Sequence, residues 1–219
     1  MTVERRVARH AALADPVRLR IVDALAIGDL APSEIQSAFG VTSNLLAHHL
    51  GVLEQAGIVE RSRSEADRRR TYVRLAPGAG SLVGAGGIEP PRRIVFVCSA
   101  NSARSQLAAA LWRRDSPIPA ESAGTRPARS IAVGAVEVAA RRGLDLPARA
   151  PRAFDDAGAA DEWVITVCDA AHEELDGLDA AHWSIPDPVR IGTPEAFDDA
   201  YDELAERIRA LLPRLTPNR

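Results

Sequence analysis

Hydrophobic positions in the first part of the chain recur with the period of amphipathic helices. A first helix is predicted over residues 3–14, and Asp15 followed by Pro16 supplies the N-cap and the first position of a second helix. The second helix has four apolar side chains on one face, those of Leu19, Val22, Leu25 and Ala26. We expect that face to pack against the core.

Two more helices and a hairpin are predicted before residue 76. Pro32 lies near the start of a third helix that ends before Gly40, a residue suited to the left-handed turn after a helix. Thr42 can cap a fourth helix that ends at Gly57. The alternating runs IVERSR and RRTYVRL flank a polar turn and predict a β-hairpin.

The pattern changes in the second part, where short apolar runs alternate with helical ones. The runs that predict strands are RRIVFV, PAESAG, EWVITV and HWSIPD. The runs that predict helices are SARSQLAAALWRR, SIAVGAVEVAARRG and EAFDDAYDELAERIRALL. This alternation is typical of a parallel α/β sheet with helices on both faces, and it predicts a Rossmann-like domain.

Between these two patterns lies a stretch rich in glycine and proline. Residues 76–93 contain five glycines and three prolines and show neither a helical nor a strand period. Such a composition is typical of an interdomain linker. We therefore predict a mainly α-helical domain over residues 1–76, a linker over 77–92 and an α/β domain over 93–219.

Composition bears mainly on location and on charge. No stretch approaches the ~20 apolar residues that span a bilayer, and the N-terminus lacks the apolar core of a signal peptide. We expect a soluble, cytoplasmic protein with no membrane partner. Net charge is −3, yet residues 61–74 carry six arginines against two acidic residues. A basic run is usually only a solvated surface. A binding role for these arginines therefore depends on where they lie in the fold.

Cys98 is the strongest candidate for chemistry. It follows a predicted buried strand, and Arg104 and Ser105 stand in the helix that comes next. N–H groups at a helix N-terminus bind anions, and such a setting favours the thiolate form of a cysteine. Arg104 can bind two oxygens of an anion, and Ser105 can donate its hydroxyl to the thiolate. The alternative is a buried structural cysteine near an unrelated arginine.

Residues 93–214 resemble the low-molecular-weight protein tyrosine phosphatases and the arsenate reductases built on the same fold. The segments that carry this resemblance are VCSANSARSQ, SAGT at residues 122–125, and Asp187-Pro188. It implies that Cys98 is the nucleophile, that Arg104 binds the oxyanion and that Asp187 is the general acid. Ser105 and Asn101 match supporting positions. The implied oxyanion-binding loop consists of Ser99, Ala100, Asn101, Ser102 and Ala103.

The position of Asp187 supports this role independently. It ends a strand-like run, and ligands of parallel sheets bind beyond the carboxyl ends of the strands. A protonated carboxyl there could give its proton to a leaving oxygen. The alternative is that Asp-Pro only starts a turn.

Details of the motifs favour the reductases over the phosphatases. Ser105-Gln106 resembles the reductases, since phosphatases more often have Ser-Pro, and Cys168 falls in a segment that resembles the one holding their second redox cysteine. The tyrosines that usually follow Asp-Pro in the phosphatases are missing. Leu175, however, stands where thioredoxin-coupled reductases have a third cysteine. Cys168 could therefore be redox-active or simply a buried cysteine at a strand end.

The expected activity is reduction of arsenate. Cys98 would attack arsenate, water would leave with help from Asp187, and a thiol would reduce the Cys98–arsenic adduct. That thiol could be Cys168, thioredoxin, or a small thiol with its redoxin. We expect no tightly bound cofactor and no metal. The alternatives are a protein tyrosine phosphatase fused to a regulator and a repressor whose second domain only senses an oxyanion.

Residues 10–75 resemble the winged helix-turn-helix repressors of the arsenic-responsive ArsR family. The segments LADPVRLRIVDAL and HHLGVLEQAGIV and the arginine-rich wing carry this likeness. It implies a homodimer that binds a double-stranded DNA operator, with the helix after Thr42 in the major groove. The predicted DNA contacts are Thr42, Ser43, Asn44, Ala47, His48, His49, Arg68, Arg69 and Arg70. For His49, a packed position is the alternative to a phosphate contact.

Residues 1–97 contain no cysteine. Many repressors of this family bind arsenite through cysteines in the helix-turn-helix region, and the histidine and carboxylate metal site of zinc-sensing relatives is not evident either. We therefore hypothesise that the second domain is the sensor, with an anion or arsenic at Cys98 changing the DNA affinity of the dimer.

Overall fold

The chain was analysed as a computed structural model that describes residues 2–82, 87–146, 149–155 and 162–215. It divides into two compact units, Met1–Ala85 and Gly86–Arg219. The two-domain organisation predicted from the change of pattern is confirmed, and each unit is described by itself below.

The described residues of the first unit form four α-helices and a hairpin in the predicted order. Two predicted caps form: the Asp15 carboxylate accepts hydrogen bonds from the N–H groups of Val17 and Arg18, and the Thr42 hydroxyl accepts one from Leu45. Such caps satisfy N–H groups that have no partner within the helix. The helices are α1 Val3–Leu13, α2 Pro16–Leu25, α3 Pro32–Phe39 and α4 Ser43–Gln55.

The hairpin consists of β1, Val59–Arg63, and β2, Thr71–Leu75. They pair antiparallel, with Val59 opposite Leu75. Leu30 adds an isolated antiparallel bridge to Val73 on the other side of β2. The hairpin is thereby attached to the segment between α2 and α3.

The core of this unit corrects one expectation about α2. Leu19 was expected on the buried face, but it is 41% exposed, and Ile21 is fully buried. The core-facing residues of α2 are Ile21, Val22 and Leu25. Because α2 packs against α1, α4 and β2 together, the direction of its buried face depends on all three neighbours and not on its own periodicity alone.

In the part of the second unit that the structure describes, four strands form a parallel sheet. The strands are β3 Arg93–Cys98, β4 Ala120–Gly124, β5 Glu162–Thr166 and β6 Ala181–His182, in the order β4-β3-β5-β6. The register aligns Cys98 with Gly124 on one side and Val97 with Thr166 on the other. The carboxyl ends of β3, β4 and β5 therefore meet at one edge of the sheet.

Five helices accompany this sheet in the described residues. They are α5 Arg104–Asp115, α6 Val133–Arg141, α7 Asp169–Leu175, α8 Pro188–Ile191 and α9 Pro194–Leu211. Helix α5 packs against β3, β4 and α9, and α7 packs against β3 and β5. Phe96 of β3 contacts Trp112 and Trp183, which fill the core around the central strand.

The expected α/β fold is confirmed, but its details differ from the prediction. Strand β6 is only Ala181–His182, so the run HWSIPD contributes a single residue, His182, to the sheet, and α7 and α8 were not predicted. The linker prediction is also too long as a description of free chain. Ala79 is fully buried in the first unit, and Ile88 bridges to Leu215 in the second. Small or isolated apolar residues can pack even within a glycine-rich stretch.

Among the described residues, no helix is both long and apolar enough to cross a membrane.

Candidate active site and nucleic-acid interface

Helix α4 presents a polar surface to solvent, as predicted. Ser43, Asn44, Ala47 and His48 are exposed. The core side of the helix is formed by Leu46, Leu50 and Leu53, which are buried. Gln36 of α3 donates a hydrogen bond of 2.8 Å to the Ser43 hydroxyl. The exposed side chains are therefore available to a duplex, with Ser43 already engaged by one neighbour.

Two residues of α4 differ from the prediction. His49 is only 5% exposed, and its Nδ1 lies 3.8 Å from the Asp15 carboxylate, so the structure favours the packed position over a DNA contact for this residue. Leu45 was not singled out from the sequence, yet it is 43% exposed. Its neighbours in sequence gave no sign of this, because the helical period places Leu45 at the border of the buried face.

The wing arginines lie between β1 and β2, and Arg68, Arg69 and Arg70 are exposed. Arg69 forms two hydrogen bonds of 3.0 Å with the Asp67 carboxylate. These bonds lower the pKa of Asp67 below its ordinary value. Arg68 and Arg70 can contact phosphate directly, whereas Arg69 would first have to leave Asp67.

The predicted anion loop lies at the carboxyl end of β3, the central strand next to β4 and β5. Strand β3 ends at Cys98 and α5 begins at Arg104, with Ala103 as an N-cap that makes no side-chain hydrogen bond. The first N–H groups of α5 therefore have no side-chain cap. Uncapped N–H groups at a helix N-terminus are suited to hold an anion.

Backbone N–H groups of the segment after β4 donate hydrogen bonds to the carbonyl oxygens of this loop. The hydrogen bonds run from Thr125 to Cys98, from Arg126 to Ser99, from Ala128 to Ala100 and from Ala132 to Ser102, at 2.8–3.1 Å. Because these carbonyl oxygens are engaged by a neighbouring segment, a ligand would meet the N–H side of the loop, where the N–H groups of Ser99 and Asn101 also donate to cysteine sulfurs.

Asn101 organises the interior of the loop. Its φ of 49° lies in the left-handed region, which Asn tolerates better than most residues. Its side chain donates to the Ser105 hydroxyl and accepts from the Arg152 amide, at 2.9 and 3.0 Å. Gln106 donates to both the backbone and the side-chain oxygen of Asn101, each at 3.1 Å. Gln106 thus holds Asn101 in place. The resemblance of Ser105-Gln106 to the reductases did not predict this role.

Gly124 allows the loop to approach β4. A Cβ atom at this position would lie 2.6 Å from the Ser99 carbonyl oxygen and 2.9 Å from the Asn101 nitrogen. Both distances are shorter than real Cβ contacts. The glycine in the SAGT segment is therefore required by packing.

Two groups surround the Cys98 thiol, which is buried. The Ser105 hydroxyl lies 3.1 Å from Sγ, and the Asn101 N–H donates to Sγ at 3.2 Å. Donors at this distance stabilise negative charge on sulfur. The structure thus brings together Cys98, Asn101 and Ser105 as the resemblance implied.

Arg104 and Asp187 meet beside the loop. The Arg104 guanidinium donates to the Ile185 carbonyl at 2.9 Å, and its other terminal nitrogen lies 3.1 Å from Oδ2 of Asp187. Oδ1 of Asp187 accepts from the Val189 N–H, so Asp187 caps α8. Asp187 is thus both the start of a short helix and a carboxyl next to the anion-binding arginine.

Residues 93–219 match the model of the low molecular weight phosphotyrosine protein phosphatase family, which is more than half of the chain. The chain belongs to that family. Residues 13–62 match a helix-turn-helix domain. The predicted fusion of a helix-turn-helix regulator with a phosphatase-family domain is therefore confirmed.

Curated relatives match each part separately. A putative arsenate reductase of Halobacterium salinarum is 26% identical over 132 residues, which is 56% of this chain and 92% of that protein. The transcriptional repressor SdpR of Bacillus subtilis is 35% identical over 52 residues, which is 24% of this chain. The match spans 58% of the repressor.

Solved structures resemble the phosphatase-family domain in fold. Wzb of Vibrio vulnificus has a TM-score of 0.51 at 21% identity, covering 57% of this chain and 99% of that one. The tyrosine phosphatase AmsI of Erwinia amylovora has a TM-score of 0.51 at 19% identity, covering 58% of this chain and 95% of that one. At these identities the likeness concerns the fold alone.

The second cysteine of the phosphatase-family domain adjoins the loop. Cys168 caps α7 by accepting from the Ala171 N–H, and its Sγ also accepts from the Ser99 N–H at 3.3 Å. Burial raises the pKa of the Cys168 thiol, although the Arg104 guanidinium acts in the opposite direction. Both cysteines are free. Cys168 is thus a buried thiol in direct contact with the anion loop.

A buried histidine–aspartate cluster lies behind Cys168 and was not predicted. The His172, Asp179 and His182 ligand atoms lie within 4.8 Å of one another. Asp179 Oδ2 is 2.6 Å from His172 Nδ1 and accepts from the Thr166 hydroxyl at 2.6 Å. His182 Nε2 is 3.1 Å from Asp169.

The two histidine rings of this cluster also contact each other. The His172 and His182 rings stack in parallel with centroids 4.2 Å apart. Burial raises the pKa of Asp179, but hydrogen bonds from His172 and Thr166 outweigh it and lower that pKa.

Proposed function

We propose that this chain is a DNA-binding transcriptional regulator whose phosphatase-family domain reduces arsenate. The observation that carries the proposal is the second buried thiol, Cys168, in contact with the loop of Cys98. Hydrolysis of a phosphate ester needs one cysteine, an arginine and an acid. Reduction also needs a thiol that can attack the first cysteine. The relationship to a putative arsenate reductase agrees with this choice.

In the first step the Cys98 thiolate attacks the arsenic atom of arsenate. Arg104 and the loop N–H groups bind the remaining oxygens, and an oxygen leaves as water after taking a proton from Asp187. The Asp187 carboxyl lies 3.1 Å from the Arg104 guanidinium. An oxyanion bound to that guanidinium would therefore have the Asp187 carboxyl beside it.

In the second step a thiol attacks the sulfur of Cys98. A disulfide bond forms, the sulfur–arsenic bond breaks, and its electron pair stays with arsenic, which leaves as arsenite. The two thiols are oxidised and arsenic is reduced by two electrons. The contact between Cys168 and the Ser99 N–H of the loop supports this role for the second cysteine. Thioredoxin, or a small thiol with its redoxin, would then reduce the disulfide or replace Cys168.

The test is arsenite formation by the purified full-length chain with each of these thiol donors. We expect turnover, and we expect Cys98→Ser to reduce it on the order of 10³-fold or more, since loss of the nucleophile removes the first bond. Binding of DNA by this variant serves as the control for folding. No arsenite with any donor, together with hydrolysis of an aryl phosphate, would instead show a phosphatase.

Cys168→Ser separates the two possible sources of the second thiol. If Cys168 attacks Cys98, the variant loses turnover with thioredoxin but keeps it with a small thiol that can enter the site. Equal turnover of the variant and the unmodified chain with both donors would assign Cys168 a structural role.

A second candidate is a repressor in which the phosphatase-family domain senses its ligand. The absence of cysteine from residues 1–97 favours it, because an arsenical then has no thiol to bind in the helix-turn-helix part. The domain would report arsenate or arsenite at Cys98 to the DNA-binding part of a homodimer. Binding of arsenate without turnover would favour this candidate over the enzyme.

A further inference from the structure

Leu45 is an apolar side chain that the first unit leaves in solvent. It is 43% exposed, although it lies in α4 directly before the buried Leu46. It is not part of the hydrophobic cluster that holds α4 against the other helices. Packing in that cluster therefore does not require leucine at this position.

The surroundings of Leu45 are those of a surface that meets DNA. Ser43, Asn44 and His48 are exposed polar residues of the same helix. Leu45 stands in the first turn of α4, and the N-terminal residues of a recognition helix are those that reach base edges. The arginine-rich hairpin belongs to the same unit.

A leucine has few partners in the major groove. Base edges there present hydrogen-bond donors and acceptors, and the one apolar group among them is the C5-methyl group of thymine. Contact with a donor or acceptor would remove water from a polar group without replacing its hydrogen bond. Contact with the methyl group removes apolar surface from water on both sides.

We propose that Leu45 is a specificity-determining residue that packs against a thymine methyl group in the major groove. The proposal rests on the DNA binding of the proposed function and adds to it the base that this side chain selects. It makes Leu45 a source of sequence preference, distinct from the phosphate contacts of the wing.

The test uses duplexes that the full-length chain itself selects from a random pool. Each thymine of the selected duplex is replaced singly by deoxyuridine, which removes only the methyl group, and affinity is measured at one salt concentration. We expect one thymine in each half-site at which the replacement weakens binding about fourfold, the change expected for one apolar carbon. With Leu45→Ala the same replacement should have no effect.

Two controls distinguish this contact from general effects. Leu19→Ala removes a leucine of similar exposure from α2 and should leave the thymine dependence unchanged. The salt dependence of Leu45→Ala should match that of the unmodified chain, because phosphate contacts set that slope. Alanine favours helix, so this variant is expected to fold.

Two results would overturn the proposal. The first is selective binding whose affinity no deoxyuridine replacement changes, or whose affinity changes equally in Leu45→Ala and in the unmodified chain. This result refutes the methyl contact and leaves the proposed DNA binding intact. Failure to select any duplex refutes the DNA binding and the contact together.

Discussion

At the residue scale, the anion loop depends on a backbone conformation that only a few side chains tolerate. Asn101 has a φ of 49° and is held by Gln106, Ser105 and the Arg152 amide. A non-glycine residue in this region costs on the order of 1–3 kcal/mol, so the neighbouring groups have to maintain it. In this conformation the Asn101 N–H donates to Cys98 Sγ.

Gly124→Ala tests how closely the loop must pack. The added carbon would meet the Ser99 carbonyl and the Asn101 nitrogen, both of which are backbone atoms that cannot rotate away. We expect a loss of roughly 1–3 kcal/mol in the free energy of unfolding. We also expect kcat/KM for arsenate to fall about 100-fold, because a displacement of about 1 Å at a reacting centre has that effect. Urea denaturation and initial rates measure the two changes.

Gly51→Ala provides the matched control. A Cβ atom at Gly51 meets nothing within 4 Å, and this residue lies inside helix α4. Alanine there should stabilise the helix by up to about 1 kcal/mol and leave the arsenate reaction unchanged. Equal rates for Gly124→Ala and the unmodified chain would show that the loop tolerates a shift at this contact.

Single residues also show which features could be predicted from the sequence and which could not. Cys98, Asn101 and Ser105 are close in the chain, so their meeting followed from the strand and helix around them. His49 and Leu45 both lie in a correctly predicted helix, but whether each faces the core depends on what packs against α4. Periodicity gives the centre of a buried face and leaves its borders undetermined.

At the element scale, α7 shows why short elements escape prediction. It has only seven residues, and a cysteine side chain, which is not a usual cap, accepts the N–H of its third residue, Ala171. The helix is fixed by contacts from other elements: His172 reaches Asp179, and Asp169 at its start reaches His182 of β6. By contrast, α2 and α4 carry ordinary caps, and their starts agree with the prediction.

Asp179→Asn should loosen α7 from the strands beside it. The Asp179 carboxylate accepts from Thr166 and pairs with His172, and hydrogen bonds to a charged group contribute about 1.5–3 kcal/mol. We expect a loss of that size at pH 7 in the free energy of unfolding. Because the folded pKa is lowered, the stabilisation is present above the ordinary value of 3.8 and is lost as pH falls through the folded pKa.

The pH dependence identifies the charge as the cause. Denaturation of both chains over pH 3–7 should show the difference between Asp179→Asn and the unmodified chain shrinking toward the acid end. Asp176→Asn is the control, because Asp176 is exposed and its backbone lies in the left-handed region, which Asn also adopts. We expect this substitution to change the free energy of unfolding by no more than about 0.5 kcal/mol. A difference for Asp179→Asn that is the same at every pH would assign it to lost packing.

At the scale of the whole molecule, the division into two units was the most predictable feature. The hydrophobic period changes between the halves, and glycine and proline accumulate at the change. The ends of the linker were less predictable. Ala79 and Ile88 pack with the units on either side, and composition cannot show whether an isolated apolar residue finds such a partner. The roles of the units followed from motifs, since a fold of this kind supports several activities.

Joining the two units in one chain predicts that their ligands affect each other. If the phosphatase-family domain is the sensor, arsenate, arsenite or alkylation of Cys98 should change the affinity of the full-length chain for its selected duplex by 5- to 150-fold, the usual range of coupling between sites. Linkage requires the duplex to change arsenate affinity by the same factor. Fluorescence anisotropy measures both. Cys98→Ser distinguishes an effect at Cys98 from alkylation of Cys168. If Cys98 is the sensor, the DNA affinity of this variant should no longer change under the treatments. Equal DNA affinity under all three treatments would mean that the two units act independently.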